Sequence, residues 1–193
     1  QRSLTKLEIF LKAMFFSLFG DPAQNSARWP VRKISELVDN NDKVNYGVVQ
    51  PGLSCSDGIP LVRAGDFNNL LIDQSSLKRI GEDIESAYFR SRLKGHEVLV
   101  CCVGATIGKI GLADDSMRGF NIARAVARIP VDQTKINRWY LACYLQTAFA
   151  QDHFRQGTRT VGQPTLNISQ LEDVPVVCPP RNLQDQFASA LTV

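Results

Sequence analysis

The sequence predicts an α+β protein, a strand-rich body set between two helices. Three observations predict it. Leu4, Leu7, Leu11, Met14 and Leu18 recur at spacings of three, four, three and four, which is a helical period. From Trp29 to Cys178 short apolar runs alternate with turn residues, as strands do. After Pro179-Pro180, a helical spacing returns in Leu183, Phe187, Ala190 and Leu191. Strand-like and helix-like segments are segregated rather than regularly alternating, which argues α+β over a doubly wound sheet.

The first helix is expected over residues 3–19. Its five aliphatic residues form an a/d seam, and Phe10, Phe15, Phe16 and Phe19 widen the apolar surface. Two heptads are too short to persist alone, so the seam requires a partner. Gly20-Asp21-Pro22 stops the helix, and residues 21–28 read as a polar linker. Strands are expected over Gly58–Arg63, Glu97–Val103, Ile107–Leu112 and Ala123–Ile129. Asn137–Phe154 reads as one helix, with Trp139, Leu141, Ala142, Leu145 and Phe149 apolar. The last helix carries Leu183 and Phe187 inward. The chain thus divides into 1–20, 21–178 and 179–193. The outer segments are expected to pack on each other, on the body or on another copy, with Leu4, Leu7, Leu11, Met14, Leu18, Leu183 and Phe187 as assembly residues.

Composition narrows the function classes without choosing one. A chain of 193 residues with 44% hydrophobic and 21% charged residues can bury a core unaided. A net charge of +3 permits nucleic acid but does not demand it, so any cationic surface must be local. Five cysteines without a Cys-x-x-Cys pair read as small apolar residues in a reducing cytosol. No apolar run is long enough to span a bilayer, and the N-terminal stretch lacks a cleavage site, so a cytoplasmic location is expected. Gln1 in place of Met suggests a processed or excised piece.

Catalytic patterns are missing. Gly104-Ala105-Thr106-Ile107-Gly108-Lys109 is close in composition to a phosphate-binding loop, but one residue too few separates its glycines, and Ile110 follows the lysine. His96 and His153 have no metal-ligand spacing. The Pro179-Pro180 pair lacks the Asn or Asp and the aromatic flank of an adenine methyltransferase loop. None of the eight lysines has an acid two residues before it, as a magnesium nuclease core requires. No catalytic residue, metal or cofactor is therefore assigned to this chain.

Residues suited to DNA occur in clusters. Phe154–Leu171 holds Arg155, Thr158, Arg159, Thr160 and Gln163 with Gly157 and Gly162 and no acid before Leu171. Arg and Gln can fork onto guanine and adenine edges, and glycine lets backbone approach a groove. Thr106 and Lys109 sit in a glycine turn between two strands. Asn40–Gln50 is rich in amides and includes Lys43, Asn45, Tyr46 and Gln50. Arg63 and Arg124 adjoin apolar strands, where each is equally suited to an ion pair; Asp66 is the obvious partner for Arg63. Lys43, Lys109, Arg155 and the amides near Gly104 and Gly108 are expected to hold phosphates, and the 40–50 and 155–163 loops to reach base edges.

Taken in order, these segments resemble the DNA specificity domain of type I restriction-modification systems, over nearly the whole chain. The matching residues are Met14…Phe19-Gly20-Asp21-Pro22, Trp29-Pro30, Tyr46-Gly47…Gln50-Pro51, Ile59-Pro60-Leu61-Val62-Arg63-Ala64-Gly65-Asp66, and Gly95…Val98-Leu99. They continue with Gly104–Lys109, Asn121-Ile122-Ala123-Arg124, Leu166-Asn167-Ile168, Leu171, Pro175, and Pro179-Pro180…Gln184…Phe187. The resemblance implies a target-recognition domain between coiled-coil-type spacer helices, reading one half of a split site in double-stranded DNA. It implies modification subunits that methylate adenine with S-adenosylmethionine, and restriction subunits that use ATP and magnesium. A single such domain implies a fragment, or a half-sized subunit that needs a second copy. Where the family has Gly-Asp before Val-Leu, this chain has Gly95-His96-Glu97, which leaves the role of an acid in that turn open. Two other readings stand beside this one: a protein-interaction scaffold for a methyltransferase, and the recognition segment of a single-chain restriction-methylation enzyme.

Overall fold

A computed structural model describes residues 6–157 and 164–191. Helix α1 (Lys6–Phe19) leads through turns to β1 (Val31–Lys33) and the one-turn α2 (Ile34–Leu37). Strands β2 (Asn45–Tyr46), β3 (Ile59–Val62), β4 (Phe67–Asn68), β5 (Leu71–Ile72) and β6 (Lys78–Ile80) follow, then α3 (Glu82–Glu85). Next come β7 (Val98–Cys101), β8 (Ile110–Leu112), β9 (Asn121–Ile122) and β10 (Val126–Ile129). Helices α4 (Arg138–Leu145), α5 (Ala148–Gly157) and α6 (Ile168–Glu172) precede β11 (Pro175–Val177) and α7 (Arg181–Leu191).

The central sheet has the order β2-β10-β7-β8, all antiparallel. Its core strand β7 is buried on both faces. Val98, Val100 and Cys102 point into a large cluster shared with α1, α4 and α7, while Leu99 and Cys101 point into a second cluster with Val62, Phe67, Ile72 and Ile122. Burial on both faces explains why 98–103 is an unbroken apolar run rather than an alternating one. The second cluster is covered by the sheet β6-β3-β9 and the hairpin β4-β5. Helices α1, α4, α5 and α7 therefore lie on one side of the sheet and the short strands, with α3, on the other, as the α+β expectation required.

The expected helix 137–154 is two helices. Asn137 caps α4 by accepting from the Trp139 amide (2.9 Å), and the chain breaks at Gln146-Thr147. The Thr147 hydroxyl donates to the Tyr144 carbonyl (2.7 Å) and accepts from the Ala150 amide, so one threonine closes α4 and opens α5. Residues 154–157 continue α5, so the expected loop from Phe154 is shorter than its sequence suggested.

Helix α1 docks on the body and on α7, but its deepest residues are not the predicted seam. Phe15 and Phe19 are buried, whereas Leu11, Met14 and Leu18 are half-buried; Leu4 lies outside the described residues, and the Leu7 side chain likewise. The inner stripe is rotated by one position because the aromatic pair finds aromatic partners. Phe15 stands edge-on to Phe187 at 5.7 Å, and Phe19 meets Tyr140 at 4.8 Å and Phe187 at 5.4 Å. Phe187 is fully buried and Leu183 half-buried, as expected of α7. Helices α1 and α7 thus share the body's core. Gly20 ends α1 at φ +67°, its amide returning to the Phe16 carbonyl.

A buried ionic network lies at the opposite end of the central sheet, where β10 ends and β2 and β7 begin. Arg128 is 2% exposed and binds Asp42, Glu97 (3.1 Å) and the Arg90 carbonyl. Glu97 also accepts the amides of Lys94, Gly95 and His96, so the acid of the Gly95-His96-Glu97 turn closes that turn itself. Burial opposes ionisation of Asp42, but the Lys94 ammonium and Arg128 guanidinium together hold its carboxyl below the usual range. Cysteines follow the buried reading at Cys101, Cys102 and Cys143, whose thiols burial pushes up to about 12. Cys178 is half-buried, and Cys55, on an exposed loop, departs from it.

Candidate nucleic-acid interface

Strand direction gathers the candidates. The C-terminal ends of β2 and β7 and the N-terminal ends of β8 and β10 share one edge of the sheet, with Tyr46 opposite Ala127 and Cys101 opposite Val126. Beyond that edge the Val48 amide donates to the Ile122 carbonyl (2.8 Å), and the Arg124 amide returns to Val48 (2.9 Å). The Ala123 amide reaches the Val62 carbonyl, so Arg63 follows in the same row. Leu166 and Gly104 close the edge, with Leu166 donating to Cys102 and Gly104 donating to Pro164. Segments 46–50, 102–109, 121–125 and 164–167 therefore meet, and none contains an acid.

Six of the twelve predicted DNA residues lie on this edge: Tyr46, Gln50, Arg63, Thr106, Lys109 and Arg124. Gln50, Lys109 and Arg124 are exposed and make no side-chain hydrogen bond or ion pair among the described residues. The other three are used internally. The Tyr46 hydroxyl donates to the Leu166 carbonyl and pins the two segments together; burial, with Cys102 adding, pushes its pKa up to about 12. Arg63 binds Asp66 through Nε (3.2 Å) and Nη2 (2.9 Å), the ion-pair alternative; Asp66 holds its pKa above the usual arginine value. The Thr106 hydroxyl donates to Val103 (3.2 Å).

The glycine turn is the hairpin between β7 and β8, as expected, with Gly104 at φ +72° and Gly108 at φ +83°. Four of its amides, however, point to acceptors within the protein. Gly104 donates to Pro164, Ile107 to Gly104, Gly108 to Cys101 and Lys109 to Thr106. Lys109 is the exposed cation of the turn.

Lys43 and Asn45 precede the edge, and the Asn45 amide bonds back to the Lys43 carbonyl (2.8 Å). Arg155 lies on α5, where it pairs with Asp152 one turn earlier, an acid just outside the stretch singled out in the sequence. Arg159, Thr160 and Gln163 lie outside the described residues. Sequence reasoning missed Asn68 and Asn69 at the tip of the β4–β5 hairpin and Gln146 after α4, which share a cleft with Lys109. Only their amide side chains could have marked them. Among the described residues no group of three His, Cys, Asp or Glu gathers to hold a metal, and no helix is long and apolar enough to cross a membrane.

No protein-family model matches the chain. Over 151 residues it is 34% identical to the type I restriction enzyme EcoBI specificity subunit of Escherichia coli, which covers 78% of this chain and 31% of that protein. The chain thus spans about a third of the length of the curated relative it matches. Among solved structures, the HsdS subunit from Thermoanaerobacter tengcongensis superposes with a TM-score of 0.60 at 16% identity, over 96% of this chain and 42% of that one. The type I system S subunit from M. genitalium gives 0.54 at 14% identity, over 86% and 38%. A chain from a structure on assembly and conformational transition of the type I R-M system gives 0.63 at 17% identity, over 96% and 43%. The chain is a homologue of type I restriction-modification specificity subunits, matching one part of their length and sharing their fold.

Proposed function

We propose that this chain is a sequence-reading DNA module that recognises one half of a split target and catalyses nothing itself. The acid-free segments at the edge of the central sheet carry the reading: they bring exposed Lys109, Arg124 and Gln50 to one place. Ammonium and guanidinium groups meet phosphates there, and amide and guanidinium side chains reach base edges. Methylation with S-adenosylmethionine, and ATP- and magnesium-dependent cleavage, belong to modification and restriction subunits in this reading, in the cytoplasm. The outward side of α1, with exposed Ile9, Phe10 and Phe16, is the assembly face. A second recognition domain, or a second copy, supplies the other half-site.

Titration of the purified chain with duplex DNA across a salt series tests this. Log affinity should fall linearly with log salt, by about 0.9 per phosphate neutralised. A flat response would remove the DNA reading and leave the scaffold reading, which the apolar side of α1 favours.

A further inference from the structure

The tips of the β4–β5 and β7–β8 hairpins enclose a cleft of 210 Å³ lined by Asn68, Asn69, Lys109 and Gln146, with Phe67 and Ile110 beside them. It holds a cation and no anion. An ammonium offers three donors, each primary amide two donors and one carbonyl oxygen, and no carboxylate lines the cleft. None of these four side chains has a hydrogen-bond or ion-pair partner among the described residues. Asn69 sits at φ +56°, a left-handed conformation that asparagine tolerates, so the hairpin tip is turned by backbone geometry. Lys109 belongs both to this cleft and to the acid-free edge, so the two surfaces are continuous.

We propose that the cleft binds a phosphate group, and that its source is the backbone of DNA lying across the interface. Donors converging on one hollow, with a cation and no acid, match anionic phosphodiester oxygens, and such charge-assisted bonds are the strong ones. Asn68, Asn69 and Gln146 then act as positioning contacts that fix where the duplex lies and carry no base information. The proposal rests on the DNA-recognition reading and adds the β4–β5 hairpin to it.

The test is the full chain with Asn68→Asp and Asn69→Asp together. Aspartate also tolerates the left-handed position, so the change reverses the chemistry and keeps the backbone. Gln146→Glu makes the same change from the opposite wall. Labelled mixed-sequence duplex is titrated by fluorescence anisotropy over a salt series, and inorganic phosphate is titrated in parallel by thermal shift. Each variant should bind duplex at least about tenfold more weakly at low salt, by the same factor on every sequence, with a salt slope smaller by about 0.9. Wild-type binding with both variants unchanged overturns the cleft alone. No binding by the wild type overturns the recognition reading, and this proposal with it. Phosphate binding lost in the variants while duplex affinity holds assigns the cleft to a free anion and overturns its DNA assignment.

Discussion

Phe15 lies against Tyr140 with ring centroids 5.5 Å apart and planes 19° from parallel, so the N-terminal helix is stacked onto the body through an aromatic pair. That contact separates fold from assembly on one helix. Phe15→Ala empties a site between Tyr140, Phe19 and Phe187 and should cost about 3–5 kcal/mol. Leu11 is only half-buried, so Leu11→Asp should cost the fold far less, on the order of 1 kcal/mol, while weakening association with a modification subunit. Urea unfolding reads the first effect and sedimentation the second. Equal destabilisation by both variants would place the aliphatic seam, not the aromatic pair, at the heart of the docking.

Arg128 should be among the costliest single positions. Arg128→Met strands Asp42 and Glu97 in the interior without their guanidinium, a loss of about 3–5 kcal/mol. Adding Glu97→Gln to that variant should recover part of the loss, because Asp42 keeps the Lys94 ammonium whereas the fully buried Glu97 is left without a cation. Strict additivity of the two changes in urea unfolding would show that they do not act through one network.

The hairpin from Val98 to Leu112 was legible because strand burial and turn residues both leave marks in the sequence. Strand β1 was not. All three of its residues are exposed, and it exists because Val31–Lys33 pair with Pro175–Val177 far along the chain. Arg128 was passed over because an arginine inside Val126–Ile129 reads as one outward residue of a strand, and its partners Asp42 and Glu97 lie on other elements. Lys109 was found for its glycines, whereas Asn68, Asn69 and Gln146 come to share a cleft with it only through tertiary packing of the β4–β5 hairpin and α4 around β8. Local pattern reports turns and strands; which turns share an edge is a property of topology.

Glu85 gives the stability a pH dependence of known sign. Its carboxylate is bound by Arg92, and although burial opposes ionisation, that guanidinium and the Asn121 amide (3.0 Å) hold its pKa below the ordinary glutamate value of 4.5. A depressed folded-state pKa stabilises the protein above the unfolded-state value, and the benefit is lost as pH falls through the folded one. Glu85→Gln should cost about 1–3 kcal/mol at neutral pH. The gap from wild type should hold steady down to about pH 4.5 and shrink below it. Urea unfolding at stepped pH measures it; a gap that widens on acidification would contradict the ionised form as the stabilising one.

Gly108 links the fold to the surface that Lys109 presents. A Cβ at this position would lie 2.3 Å from the Gln151 Oε1, and the φ of +83° strains any L side chain. Gln151 cannot simply swing away, because its Nε2 donates to the Gly108 carbonyl (2.9 Å) and the Leu145 carbonyl (2.7 Å). Gly108→Ala should therefore destabilise by about 1–3 kcal/mol from backbone strain alone, with the clash in addition. In a Gln151→Ala background the clash is gone, and the added cost should fall to that backbone strain of about 1–3 kcal/mol. The two substitutions should thus be non-additive in thermal or urea unfolding. Duplex affinity should follow a different pattern. Gly108→Ala displaces the turn that aims Lys109 and weakens DNA binding while the chain stays folded, and Gln151→Ala restores part of that affinity by letting the turn relax. Additive stability losses with unchanged DNA affinity in all three variants would show that the turn neither leans on Gln151 nor aims the lysine at DNA.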